Sequence, residues 1–151
     1  MRLQFWAFAA VVGPLAWTAC TAAGPPVAAT RVRPGQEFSL PVGASAQTVD
    51  AAVEVGFQGV GSDSRCPKGT QCIRAGDAAV RLWLRVGAAG ARQTHELRLG
   101  PPPAPSVRAG AYDLHLLRLD PYPTAASSPG LADYVVTLTL RPAASAAAQD
   151  R

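Results

Sequence analysis

Charge is sparse in this chain: only 16% of its 151 residues are charged, and a single lysine, Lys68, stands beside thirteen arginines. Histidine occurs twice and cysteine three times, so any metal or nucleophilic chemistry has few residues to draw on. No long stretch repeats apolar residues at a spacing of 3.6, and 14 Gly with 14 Pro interrupt helical hydrogen bonding throughout, which excludes a helix bundle. Low charge with 48% hydrophobic residues argues against a disordered chain. Alanine, about a fifth of the sequence, inflates that percentage, so the effective core is smaller than it suggests. A single small all-β domain is the class that remains.

The longest apolar run lies at the start, and Gly13-Pro14 break it short of the roughly 20 residues that a membrane-spanning helix needs. One arginine, the apolar run Phe5 to Val12 and the small residues before Cys20 follow the three-part plan of a secretory signal. Residues 1–20 are therefore read as a signal peptide. A cysteine closing such a segment resembles the lipobox of bacterial lipoproteins, with Cys20 as the acylated residue, although Trp17 stands where a medium aliphatic is usual. Ordinary cleavage after Ala22 or Ala23 is the alternative. Export leaves Cys66 and Cys72 as an even pair, expected to form one disulfide in an oxidising compartment.

Residues 21–35, rich in Ala, Pro and Gly, read as a flexible tether. Residues 36–141 read as the folded domain and 142–151 as a disordered tail. Period-two alternation marks Phe38 to Val42, Val53 to Phe57, Val80 to Val86, His95 to Leu99, Tyr112 to Leu116 and Tyr134 to Leu140. The phase slips at Val60 and at Leu117, as a bulge in each strand requires. Gly87-Ala88-Ala89-Gly90 is expected to turn a hairpin, and Pro41 to push its strand to a sheet edge. The expected fold is an antiparallel β-sandwich of six to eight strands, with an Ig-like arrangement or a small barrel as alternatives.

The densest local signal is the polar stretch from Ser62 to Ala78, closed by the cysteine pair and turned at Pro67 and Lys68-Gly69. Asp63, Arg65, Lys68, Arg74 and Asp77 are its candidate binding residues, and the Asp120 to Pro123 turn is a second candidate contact. For Asp63 and Asp77 the plainer expectation is that they cap turns or pair with Arg65 and Arg74. Asp63-Ser64-Arg65-Cys66-Pro67, Cys72 and Ala75-Gly76 resemble a pattern in small bacterial envelope proteins, often lipoproteins. Those proteins also carry a Leu-rich strand ending in Pro-Tyr-Pro and a Tyr-initiated last strand, similar to Leu114 to Pro123 and Tyr134 to Leu140. Arg74 departs from the pattern, where an aromatic residue is common. The resemblance implies export and a β fold, and no reaction.

His95 and His115 are the sole candidates for a periplasmic enzyme or metal-binding protein, the alternative reading, and each is expected to be a structural strand residue. Asp113, Asp120 and Asp133 lack the spacing of a calcium loop. No catalytic residue, metal or cofactor is expected. The net charge of +4 is dispersed, which with export speaks against nucleic acid. Arg81, Arg85, Arg92 and Arg98 are expected on the solvated faces of a strand pair. The sequence thus reads as a non-enzymatic binding or structural module of the cell envelope, held at the periplasmic side of a membrane by an N-terminal lipid, or soluble, with an envelope protein or polymer as partner.

Overall fold

The computed structural model describes residues 29–144; the expected signal, Cys20 and the last residues of the expected tail lie outside the described residues. Nine strands form two sheets, and no helix is present among the described residues. Strands β1 (Thr30–Val32), β3 (Ser45–Thr48), β4 (Val53–Asp63), β5 (Ala78–Val86) and β6 (Gln93–Leu99) make a five-stranded sheet in the order β1-β3-β4-β5-β6. Strands β2 (Glu37–Pro41), β7 (Ser106–Ala109), β8 (Tyr112–Asp120) and β9 (Val135–Pro142) make a four-stranded sheet in the order β2-β9-β8-β7. The sheets have separate ladders, so the domain is an open β-sandwich and not a closed barrel. All pairs are antiparallel except β1 with β3.

The alternation that marks the strands in sequence also fills the core. Val55, Phe57, Val80 and Leu82 from one sheet meet Leu114, Leu116, Val136 and Leu138 from the other, all sealed from water. β9 lies between β2 and β8, which explains why even its outward Thr137 and Thr139 are buried. The β5–β6 hairpin forms in the expected place. Pro41 sits on the edge strand β2. The ladder of β4 shifts register between Phe57 and Gly59 and again between Val60 and Ser62, while that of β8 shifts between Leu116 and Arg118. Both phase slips are bulges.

Strand pairing begins at Thr30, inside the segment read as tether, and Val32 joins the core. It ends at Pro142, the first residue of the expected tail. The strands that the six alternating runs do not mark are β1, β3 and β7. Each has only three or four residues, too few for alternation to emerge from an Ala-, Ser- and Pro-rich background.

Two tyrosine-to-aspartate hydrogen bonds join the sheets at opposite ends of β8. Tyr112, which opens it, donates to Asp50 in the β3–β4 turn at 2.8 Å. Tyr134, which precedes β9, donates to Asp63 at the end of β4 at 3.0 Å.

On the outer face of the five-stranded sheet, Trp83 lies across Gly56, its neighbour in the ladder, and Arg92 stacks over the indole at 4.0 Å from the ring centroid. Arg85 pairs with Glu54, Arg81 with Glu96, and Arg98 with Glu96 and Asp77. The expected arginine stripe is therefore a face of ion pairs, within and across strands, with Arg92 stacked on Trp83. A Cβ on Gly56 would land inside the indole. Gly56→Ala is expected to lift Trp83 off the sheet, lowering stability by about 1–3 kcal/mol in denaturant unfolding and changing tryptophan fluorescence; an unchanged midpoint would count against this packing.

Candidate functional site

Loop 64–77 continues the β4–β5 ladder before it closes on itself. The Ser64 amide donates to the Asp77 carbonyl at 2.8 Å, and the Cys66 amide to the Ala75 carbonyl at 2.8 Å. The Ser64 hydroxyl donates to the Asp77 carbonyl at 2.9 Å and accepts from the Asp77 amide at 3.2 Å. Gly76 adopts φ +70° with the Ser64 carbonyl packed where a Cβ would stand, so only glycine fits. Beyond this ladder, Cys66 and Cys72 sit at disulfide distance, with Cα atoms 5.9 Å apart. Between them Gly69, at φ +87°, completes a turn in which the Thr70 amide and hydroxyl both donate to the Pro67 carbonyl, at 3.1 and 2.7 Å.

Asp63 and Arg65, two residues apart in extended chain, point to the same side. There they form a two-pronged ion pair: Arg65 Nε to Asp63 Oδ1 at 2.9 Å and Nη2 to Oδ2 at 2.6 Å, with the Arg65 amide also on Oδ1 at 3.1 Å. The side chains are 7% and 9% exposed. Two of the three remaining guanidinium protons are accepted by the carbonyls of Leu119 at 2.7 Å and Pro121 at 3.1 Å. The guanidinium carbon lies 4.6 Å from the centroid of Tyr122. Lys68 is pinned through its backbone, its amide donating to the Pro123 carbonyl at 2.9 Å and its carbonyl accepting from the Ala125 amide at 3.1 Å. Its ammonium stands 5.4 Å from the centroid of the same tyrosine.

Three segments far apart in sequence, 63–68, 119–123 and Tyr134, thus meet at one point. Burial acts to raise the pKa of Asp63. Hydrogen bonds from the Arg65 side chain and amide and from Tyr134 outweigh burial and hold the carboxyl below its ordinary 3.8. Tyr134 is shifted upward, by burial first and then by its bond to Asp63.

Beside this anchor an open groove of about 560 Å³ runs between the stapled loop, the end of β6 and the end of β8. Ala75, Leu99, Pro101 and Leu117 supply apolar lining. Leu117 is the residue that the β8 bulge leaves outside the ladder. Lys68, Arg118 and Asp120 supply charge along the groove, with Arg118 donating to Asp120 at 2.6 Å.

The five candidate loop residues take different places. Asp63 and Arg65 are drawn inward as an anchor, Lys68 borders the groove, Asp77 faces Arg98 at 3.4 Å and not Arg74, and Arg74 is exposed next to the fully exposed Ile73. The Asp120 to Pro123 turn adjoins the loop. Leu99, Leu117, Arg118 and Tyr134 are not among the candidate binding residues read from the sequence; the phase slip marks Leu117 itself, while the cysteine-closed loop and the Asp120 to Pro123 turn mark two other borders of the groove. The two histidines are not brought together. His115 lies between the inward Leu114 and Leu116 on β8 and so faces outward from the four-stranded sheet, whereas His95 lines a cavity of about 130 Å³ with Leu84, Val86 and Arg108. Among the described residues no cluster of three or more His, Cys, Asp or Glu could hold a metal.

The fold and site define a β-sandwich with a stapled loop anchored over a groove. In comparisons with protein-family models, curated proteins and solved structures, none matches this chain.

Arg65→Met would strand the Asp63 carboxylate in the anchor and should cost about 3–5 kcal/mol in denaturant unfolding. Because Asp63 has a lowered pKa in the folded state, its contribution is present above 3.8 and is lost as pH falls through the lower folded value. Stability of the native chain should therefore fall more steeply below pH 3.8 than that of Asp63→Asn; parallel acid profiles would contradict the anchor.

Proposed function

We propose that this chain is an exported, non-enzymatic binding module of the bacterial cell envelope, lipid-anchored through Cys20, which captures a partner in the groove beside the Cys66–Cys72 loop. The observation that carries the reading is a recognition-sized trough whose loop wall is pinned by a buried ion pair and by backbone hydrogen bonds on both sides of Lys68. A wall fixed in advance loses little conformational entropy when a partner arrives. Polar loops held by a rigid sheet are common recognition surfaces. The signal-like N-terminus and the cysteine pair support export, since disulfides persist in oxidising compartments.

A photo-crosslinking side chain placed at Leu117 in envelope-expressed protein should yield discrete adducts, and the same group at Arg141, on the outer face of the four-stranded sheet, should not. Adducts at neither position, or equally at both, would overturn the groove as the binding site. The anchor is tested separately. Globomycin, or Cys20→Ser, should block maturation, and normal processing of the variant to a soluble form would reject lipidation.

A further inference from the structure

Four charged side chains line the groove, and three already have an opposite charge. Arg65 is held by Asp63, and Arg118 and Asp120 hold each other. Among the described residues Lys68 has no carboxylate within 4.0 Å. Its ammonium stands beside Tyr122 on backbone fixed from both sides. The groove therefore offers one uncompensated positive charge next to an apolar surface of Leu99, Pro101, Leu117 and Ala75.

We infer that the occupant is the free C-terminal end of a peptide whose last residues are apolar, with Lys68 receiving the terminal carboxylate. This rests on the groove being the binding site. One cation matches one carboxylate. A densely phosphorylated polymer would find a single free cation and be opposed by Asp120, and a cationic ligand would meet Lys68 with no acid left to compensate it. An ammonium on a flexible stem presents three rotatable donors and can follow a carboxylate that approaches along an open trough.

Peptide is favoured over a fatty acid by the form of the site. The groove is an open trough, so an acyl chain would keep much of its surface in water, whereas a peptide backbone is satisfied there. The Arg118–Asp120 pair, exposed at the side, offers a donor and an acceptor to passing amides. Leu99 from β6 and Leu117 from β8 both line the trough and can receive the apolar side chains.

The test uses the folded full-length chain carrying ¹⁵N label, titrated with an acetylated tetrapeptide of apolar residues as the free acid, the same peptide as its C-terminal amide, dodecanoate and inorganic phosphate. The free acid should move the amide signals of Leu99, Gly100, Leu117 and Arg118 and bind about ten-fold more tightly than the amide. Lys68→Gln should bring the acid to the level of the amide without weakening the amide, and Lys68→Arg should retain most of the difference. Thermal unfolding of both variants should be unchanged, since the Lys68 side chain is exposed and its backbone bonds remain.

Equal binding of acid and amide, or undiminished acid binding by Lys68→Gln, would overturn the carboxylate. Tighter binding of dodecanoate than of the peptide would make the occupant a fatty acid, and full competition by phosphate would make the site one for anions in general. No peptide binding would refute this inference; if Leu117 crosslinks still formed in the envelope, the groove reading would stand, and if they too were absent both would fall.

Discussion

Asp63 and Arg65 are two residues apart, both nearly sealed from water, and neither charge could be buried there alone. Each is satisfied by the other and by groups from elsewhere in the chain: Tyr134 on the carboxylate, and the Leu119 and Pro121 carbonyls on the guanidinium. Much else depends on this pair. It ties the end of β4 to the end of β8 and the start of β9, closing one end of the sandwich, as the Tyr112–Asp50 bond does the other. It also holds the root of the stapled loop, so that the groove has a wall of fixed position. The hydrogen bonds that keep Asp63 ionised despite its burial are the same ones that hold the loop.

The disulfide acts on a smaller scale. Cys66 and Cys72 close a loop of few residues, where constraint of the unfolded chain contributes only modestly to stability. Its effect is local shape. The ladder through Ser64, Cys66, Ala75 and Asp77, with Gly76 pressed against the Ser64 carbonyl, brings the loop to the right place. The staple then holds the Pro67–Thr70 turn, from which Lys68 projects. On the outer face of the five-stranded sheet charge is handled differently, with most arginines of the stripe compensated by cross-strand carboxylates and Arg92 stacked on Trp83. That difference is why the Lys68 ammonium, with no carboxylate within 4.0 Å among the described residues, carries weight at the groove.

Most of the fold was legible in the residues because alternation between the core face and the outer face of a sheet leaves a period of two wherever a strand is long enough. Val53 to Phe57, Val80 to Leu84 and Val136 to Leu140 follow it, and the slips at Val60 and Leu117 marked real bulges. The short strands β1, β3 and β7 left no such trace, because three or four residues cannot establish a period. The site was half legible. The loop was visible as a polar, cysteine-closed stretch, and Pro-Tyr-Pro and the tyrosine before the last strand were visible as separate features. Nothing local said that they touch.

By itself the sequence determined an all-β domain, the hairpin and the bulges, since each follows from periodicity or turn chemistry within a short stretch, and it paired Cys66 with Cys72 once Cys20 was assigned to the N-terminal segment; the two separate sheets decided sandwich over barrel. The tertiary structure alone decided that Arg65 turns inward while Lys68 borders the groove, that Asp77 faces Arg98, and that His95 and His115 point apart. Those outcomes depend on which carbonyls, rings and carboxylates arrive from residues more than 50 positions away in the case of Arg65. A charged side chain is buried or exposed according to all the partners that meet it, and its neighbours in sequence specify only some of them: Asp63 stands near Arg65 in the chain, but the carbonyls that complete the arginine's burial do not.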